Sequence, residues 1–327
     1  MISIEDARAN STPISFDDYT PKKPHKLGVT VLDDLDLNEV RKYIDWTPFF
    51  MTWQLSGKYP LILKHEVIGA EATNLFNDAN AMLDEVINNK KITAKAVFGL
   101  FPANSDVDDL LVYNDETRSE TLMRLHQLRQ QSKKPSGQFN RCLADYVADK
   151  NSGVADYMGA FAVSAGFGAD ALVKVYDGDH DAYNSILLKA VADRLAEASA
   201  EYLHEKIRKE YWGYAPNENL DNNDLIRENY QGIRPAPGYP ACPEHTEKGL
   251  LWELLNVEEN IGMELTSSYA MWPGAAVSGW YFAHPDSKYF AVAKLAKDQV
   301  LDYAVRKGMT IEQAERWLSA NLDYEPE

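Results

Sequence analysis

The chain has 327 residues, of which 45% are hydrophobic, and its formal net charge is −17. A chain of this size can bury a large core, while so acidic a surface repels nucleic acid and anionic membranes. We therefore expect neither nucleic acid nor a membrane among its partners. The N-terminus has no apolar signal segment, and Cys142 and Cys242 form no CxxC pair, which favours a cytoplasmic protein with reduced thiols.

Polar residues dominate the first 30 positions, which predict an N-terminal arm ahead of a single domain at 31–327. Beyond the arm, apolar residues recur at helical spacing in several segments. Two segments also carry end signals, because Gly308 stands where a helix C-terminus favours glycine and Thr310 and Gln313 are spaced as a capping box. The predicted helices are 36–46, 65–89, 120–131, 180–212, 222–229, 246–262, 297–308 and 310–318.

Short apolar runs bounded by turn residues predict the β-strands. These runs are 96–103, 110–113, 159–165, 276–282 and 288–293. Strands and helices do not alternate as a doubly wound sheet requires, and no flexible linker divides the middle of the chain. The pattern favours one α/β domain with a mixed or antiparallel sheet and flanking helix clusters.

The sequence contains no motif that indicates a nucleophile or a metal site. GxSxG, HxH and HExxH are absent, and the seven histidines are scattered. The acidic run "DGDHDAY" at 177–183 could hold a cation, but it lacks the EF-hand pattern and is more typical of an acidic helix N-terminus. We therefore expect no metal ligand and no catalytic side chain.

One glycine pair permits an alternative. In "AFAVSAGFGADAL" at 160–172, a strand is followed by Gly166 and Gly168 and then by a helix, as in the first loop of a class I methyltransferase. The third glycine of that fingerprint and the repeating βαβ context are both missing. A tight strand-to-helix turn explains the same residues.

The segment "RPAPGYPACP" at 234–243 has the strongest binding chemistry in the chain. Its prolines favour an extended backbone with unpaired carbonyls, which can accept hydrogen bonds from an adenine amino group. Gly238 permits close approach to the backbone, Arg234 offers a planar fork for a carboxylate, and Tyr239 offers a ring face for a cation. S-adenosylmethionine combines these three groups. A structural ion pair between Arg234 and an acid such as Glu228 is an equally good interpretation.

The segment also resembles a known family. "RPAPGY" has the RxxxGY pattern of the activation domain, the S-adenosylmethionine-binding C-terminal domain, of cobalamin-dependent methionine synthase. Other segments of the chain are similar to the same domain, so that the resemblance runs through essentially the whole sequence. They are 43–60, 99–104, 193–205, 211–220, 225–248 and 271–290. The resemblance implies one C-shaped domain with a twisted antiparallel sheet, not a Rossmann fold.

The resemblance also implies a ligand site. Arg234 would hold the methionyl carboxylate and Asp45 the ammonium group, while Ala236, Gly238 and Tyr239 would contact the nucleoside and the sulfonium. Tyr289 and Phe290 match an aromatic pair that holds two tyrosines in the family, so the phenylalanine removes one hydroxyl. Glu197 and Glu228 are further candidates, although each is as readily a solvated or salt-bridged acid.

In that family, S-adenosylmethionine and an electron from flavodoxin restore methylcobalamin when the cobalamin has oxidised. The resemblance therefore implies a methyltransferase fragment of methionine biosynthesis, inactive alone, whose partners are the cobalamin-binding domain and flavodoxin. The cobalamin must come from another domain, because the DxHxxG motif for its lower ligand is absent. Flavodoxins are acidic, so docking would need local basic residues such as Lys206, Arg208 and Lys209.

Two other functions fit less of the sequence. A self-sufficient methyltransferase would bind its ligand at Gly166 and Gly168. A ligand-free module that only docks flavodoxin would not need Arg234 or Asp45. The intact RxxxGY segment favours the reactivation role.

Overall fold

A computed structural model describes residues 1–326 of the chain. A six-stranded sheet lies at its centre, and a two-stranded sheet lies apart from it. The order in the large sheet is β4-β3-β2-β5-β8, and β1 also pairs with β2. The strands are β1 (Gly28–Leu32), β2 (Thr93–Asp106), β3 (Asp109–Tyr113), β4 (Thr121–His126), β5 (Asp156–Phe167), β6 (Glu264–Leu265), β7 (Met271–Trp272) and β8 (Ala276–Tyr281).

Every strand pair is antiparallel. The predicted antiparallel α/β class is confirmed, and residues 1–326 contain no parallel βαβ unit that would support a Rossmann-type site. Strands β2 and β5 are the longest and are buried along almost their whole length, with Phe98 directly opposite Phe161. Both faces of the central sheet are covered, which explains why these two strands read as nearly continuous apolar runs.

Helices cover both faces. They are α1 (Ile4–Ala9), α2 (Leu37–Val40), α3 (Thr47–Thr52), α4 (Gly69–Asn88), α5 (Ala169–Gly178), α6 (Ala182–Lys206), α7 (Asn222–Ile226), α8 (Glu247–Leu255), α9 (Val257–Ile261), α10 (Lys297–Lys307) and α11 (Ile311–Trp317). Alternate residues of β2 serve the two sides, since Phe98 packs in a core with α4 and α6 while Val97 packs in a core with α8. A third, small core lies beneath α10 and α11.

Several local predictions are confirmed. Asp181 caps α6 by accepting from the backbone N–H of Asn184, so the acidic run at 177–183 is a helix start. Gly308 ends α10 with φ +70°, and Thr310 and Gln313 form the capping box of α11.

Three local predictions are wrong. Residues 121–126 form strand β4, not a helix, because the exposed edge of β3 takes them as its antiparallel partner, with Asp109 opposite His126. The segment 246–262 is two helices, since Asn256 adopts a left-handed conformation (φ +46°) between them. Residues 288–293 form an irregular loop, tied to the chain by the bond from the N–H of Val292 to the carbonyl of Pro240.

The N-terminal segment is anchored at two points. The backbone N–H of Ile2 donates to Gln131, and Arg8 pairs with both Asp108 and Asp302. The boundary proposed at residue 30 falls within β1, so this strand joins the segment directly to the sheet.

Both cysteines are buried and unpaired. Among the residues described, no helix is long and apolar enough to cross a membrane.

Candidate functional site

Residues 234–243, which we call the proline-rich segment, lie along the free edge of β8. Ile233 and Phe282 exchange backbone hydrogen bonds, both of 3.0 Å, and the N–H of Trp280 donates to the carbonyl of Pro235 at 2.8 Å. Gly279 makes this contact possible, because a Cβ there would lie 2.6 Å from the Pro235 oxygen. The segment therefore adds an extended stretch of backbone at the edge of the sheet. It cannot continue as a regular strand, because its prolines have no N–H to donate.

A tight turn follows. Gly238 has φ +90°, and its N–H donates to the carbonyl of Cys242 at 2.8 Å. A Cβ at this position would lie 2.5 Å from the imidazole of His245, so only glycine fits both the conformation and the space. Tyr239, at the tip of the turn, is 61% exposed.

Replacing Gly238 with alanine should destabilise the fold by about 2 kcal/mol, because left-handed backbone alone costs a residue with a Cβ about 1–2 kcal/mol and the His245 contact adds to it. Gly262→Ala is the matched control, since Gly262 has φ +72° and open space where its Cβ would stand. Urea unfolding should show the larger loss for Gly238→Ala. Equal losses would mean that the contact with His245 costs nothing.

Arg234 is fixed by four side chains. Its Nη2 pairs with Glu201 Oε2 at 2.8 Å, and its Nη1 donates to the hydroxyl of Tyr230 at 2.7 Å and to Nδ1 of His204 at 3.2 Å. Its backbone N–H donates to the hydroxyl of Tyr289 at 3.0 Å. A guanidinium has five N–H groups, so these contacts leave the Nε N–H and one Nη2 N–H without a partner among the described residues.

Two cavities meet at Arg234. The first, which we call the acidic cavity, measures about 340 Å³ and is lined by Tyr43, Asp45, Pro48, Arg194, Glu197, Ala198, Glu201, Leu225, Ile226, Glu228 and Arg234. The second, which we call the aromatic cavity, measures about 420 Å³ and is lined by Glu197, Glu228, Arg234, Pro235, Ala236, Tyr239, Pro240, Ala241, Val277, Tyr289, Phe290 and Ala291. Because Glu197, Glu228 and Arg234 line both, the cavities form one continuous cleft.

The sequence model of the family described as "Vitamin B12 dependent methionine synthase, activation domain" matches residues 36–308. The chain belongs to this family. A crystal structure described as the MetH reactivation domain bound to AdoHcy is similar over 99% of both chains, with 60% sequence identity and a TM-score of 0.97. The fold described above is therefore that of a methionine synthase activation domain.

The structure places six of the seven predicted contact residues on this cleft. Asp45 lines the acidic cavity, where its Oδ1 also accepts from the backbone N–H of Thr47 at 2.9 Å. Arg234 lines both cavities, and Gly238 lines neither. Four more of the predicted residues line the aromatic cavity, and they are Ala236, Tyr239, Tyr289 and Phe290.

Two acidic side chains line both cavities: Glu197 is half-buried, whereas Glu228 is an exposed residue whose carboxyl lies partly within the cleft. Burial raises the pKa of Glu197 and of Glu228, although the nearby charge of Arg234 partly offsets the effect. Raised pKa values mean that the carboxylates lack enough positive charge around them when the cleft holds only protein atoms. The structural ion pair that the sequence permitted for Arg234 is present, but its partner is Glu201 and not Glu228.

Sequence reasoning missed the residues that hold Arg234. Glu201, His204 and Tyr230 were not among the candidates, although Glu197, Glu201 and His204 follow one another at helical spacing on α6. Buried polar residues in an otherwise apolar stripe were the available signal. The hydroxyl of Tyr230 comes from the turn after α7, which no periodicity could have placed.

The basic residues considered for docking are not free. Lys206 pairs with Glu210, Lys209 pairs with Glu205, and Arg208 is fully buried against Glu218. Arg208 as a surface cation is therefore wrong, and the two lysines carry compensated charges. A π-helical turn at Ile207–Tyr211 follows α6 and carries Arg208 inward.

The glycine loop considered for a class I methyltransferase is a tight turn. Gly168 has φ +91° and starts α5, and a Cβ on it would lie 2.4 Å from the carbonyl oxygen of Lys91. The strand before it, β5, is antiparallel to both of its neighbours. The close contact with Lys91 and the antiparallel strand pairing both favour a structural turn at these glycines.

Proposed function

We propose that this chain binds S-adenosylmethionine along the cleft and presents its methyl group to a cobalamin held by another domain. The observation that carries the proposal is the pair of unpartnered N–H groups on Arg234, at the point where the two cavities meet. The similar MetH reactivation domain is described as bound to AdoHcy, which is S-adenosylmethionine without its methyl group.

The methionyl part of the ligand fits the acidic cavity. The Nε and Nη2 edge of Arg234 suits a carboxylate, since two parallel N–H groups can bind its two oxygens. Asp45, on the same cavity wall, would accept from the ammonium group. Glu197 and Glu228 would face the positive end of the ligand, and a cation there would lower their raised pKa values towards normal.

The adenosine fits the aromatic cavity. Beyond the three charged residues that it shares with the acidic cavity, its wall is apolar apart from the backbone and the hydroxyls of Tyr239 and Tyr289, which is typical of a nucleoside pocket. The extended backbone around Ala236 has carbonyls that can accept from the adenine amino group. Phe290 packs against Tyr146 at 6.5 Å between ring centroids, so it completes the wall without a hydroxyl.

The protein's part in the reaction would be binding and orientation. S-adenosylmethionine supplies the methyl group, and the cobalamin of a partner domain accepts it. No side chain of this chain is needed as a base, and we propose that the chain alone transfers no methyl group. Flavodoxin remains the proposed electron donor. The two buried, unpaired cysteines support a reducing, cytoplasmic setting.

Calorimetric titration of S-adenosylmethionine into the purified chain tests the proposal. We expect saturable binding of one ligand per chain, and the same for S-adenosylhomocysteine. A correctly folded chain that binds neither would overturn the proposed site. Adding free cobalamin and a reductant should be required before any methyl transfer is detected.

Replacing Tyr289 with phenylalanine should weaken S-adenosylmethionine binding by about 0.5–1.5 kcal/mol, because its hydroxyl accepts the backbone N–H of Arg234 and so helps to hold the start of the segment. Tyr183→Phe is the control, as that hydroxyl donates to Asp78 on an exposed surface. Calorimetry on both variants checks the prediction. An unchanged affinity in Tyr289→Phe would show that the segment is held without this bond.

A further inference from the structure

We propose that His204 is a positioning residue for Arg234, which it holds by accepting a hydrogen bond as a neutral imidazole. The bond fixes Nη1 behind the cleft and so turns the Nε and Nη2 edge of the guanidinium towards the ligand. This inference rests on the proposed function, because it concerns the same carboxylate site.

The hydrogen-bond geometry sets the tautomer. Arginine has no acceptor atom, so the 3.2 Å contact between its Nη1 and Nδ1 of His204 requires Nδ1 to be the acceptor. The imidazole proton must therefore be on Nε2. Burial, together with the charges of Arg208 and Arg234, lowers the pKa of His204 well below its usual value, which keeps the ring neutral.

The ring cannot turn away from Arg234. His204 is fully buried and stacks on Tyr281 with 5.1 Å between centroids and 16° between planes. Tyr230 meets the same ring edge-on at 5.0 Å. This packing fixes the plane of the ring, and in that plane Nδ1 lies 3.2 Å from Nη1 of Arg234.

Three side chains together fix the plane of the guanidinium group. A single ion pair would leave the group free to rotate. Glu201 forms an ion pair with Nη2, while His204 and Tyr230 accept from the two N–H groups of Nη1. A second cation supports this arrangement, since Arg208 lies 4.1 Å from the ring centre of Tyr230 and 3.8 Å from Oε1 of Glu201. Nε and Nη2 carry the remaining N–H groups, and a bidentate carboxylate binds across this edge of a guanidinium.

The test compares S-adenosylmethionine with decarboxylated S-adenosylmethionine, which lacks only the carboxylate. His204→Leu keeps an apolar side chain of comparable size but removes the acceptor. We expect it to weaken binding of S-adenosylmethionine about tenfold, the effect of one lost hydrogen bond, and to leave binding of the decarboxylated analogue unchanged. His204→Asn places an oxygen near the position of Nδ1 and should restore most of the affinity.

Tyr230→Phe provides a second variant that keeps the ring against His204 and Arg208. It should also bind S-adenosylmethionine about tenfold more weakly and bind the decarboxylated analogue unchanged. If His204→Leu does not fold, this variant tests whether the partners of Nη1 position Arg234. Equal loss of both ligands, or no recovery in His204→Asn, would mean that His204 is only a packing residue. If the wild-type chain binds neither ligand, the proposed function itself fails.

Discussion

Replacing Arg234 with alanine should weaken S-adenosylmethionine binding by roughly 1.5–3 kcal/mol, which is about 10- to 150-fold in Kd. The change removes both N–H groups that face the cleft and therefore the whole carboxylate contact. It also removes the nearer cation of Glu201, whose side chain is only 11% exposed, and leaves it only the more distant Arg208 at 3.8 Å. We therefore expect a lower melting temperature as well.

Two further variants separate these effects. Arg234→Lys keeps a positive charge near Glu201 but lacks the planar fork, so it should retain more stability than Arg234→Ala and still bind weakly. Arg194→Ala is the matched control, because Arg194 lines the same acidic cavity with 15% of its side chain exposed, yet pairs with Asp193 at its rim. If Arg194→Ala loses more affinity than Arg234→Ala, the carboxylate lies at Arg194 and our assignment is wrong.

The extended character of the proline-rich segment was predictable from local chemistry. Prolines at 235, 237, 240 and 243 leave few backbone donors, so the segment had to run along an edge or through a loop. The strand along which the segment lies was not predictable from the sequence. The contact with β8 depends on Gly279, whose missing side chain matters only because the carbonyl of Pro235 lies there.

The sheet likewise contains strands that the sequence predicts and one that it does not. Strands β2 and β5 are long, apolar and β-branched or aromatic at many positions, so their sequences alone indicated strands. Strand β4 is polar on one face and contains leucine and histidine at spacings that also fit a helix. Only pairing with β3, and the contact of Arg124 with Asp109 at 2.9 Å, decides its conformation.

For the site, sequence resemblance named residues that line the cleft, but not the residues that support them. Arg234 and Glu228 are close in sequence, which made them a plausible pair, whereas Glu201 is more than thirty positions away on α6. A buried arginine needs its charge and its N–H groups satisfied. Which acid does so is a property of how α6 packs on the sheet, and periodicity carries no such information.

Beyond the site, an ion cluster fixes the far end of the proline-rich segment. Lys307, at the end of α10, contacts Glu244 at 2.9 Å and also contacts Glu247. The side chains of these three residues are 8%, 1% and 0% exposed, respectively. Glu244 stands directly after Pro243, and the hydroxyl of Tyr303 donates to it at 2.9 Å. The C-terminal helices therefore determine where the segment leaves β8.

Replacing Lys307 with methionine should destabilise the chain by about 3–5 kcal/mol, because it leaves two buried carboxylates without their cation. Lys206→Met is the control, since its partner Glu210 is largely exposed and such pairs contribute only about 0–1 kcal/mol. Urea unfolding at neutral pH measures both. A loss below about 1 kcal/mol for Lys307→Met would show that the C-terminal helices are held by their apolar core alone.

The pH dependence of the same variant distinguishes lost charge from lost packing. Burial already raises the pKa of Glu247 despite Lys307, and removal of the lysine should raise it further. The unfolded chain ionises these acids near their ordinary pKa, so the penalty grows as pH rises above that value and disappears below it. Lys307→Met should therefore lie closer to wild type in stability at pH 5 than at pH 8. A gap that does not change with pH would indicate a loss of packing by the lysine stem.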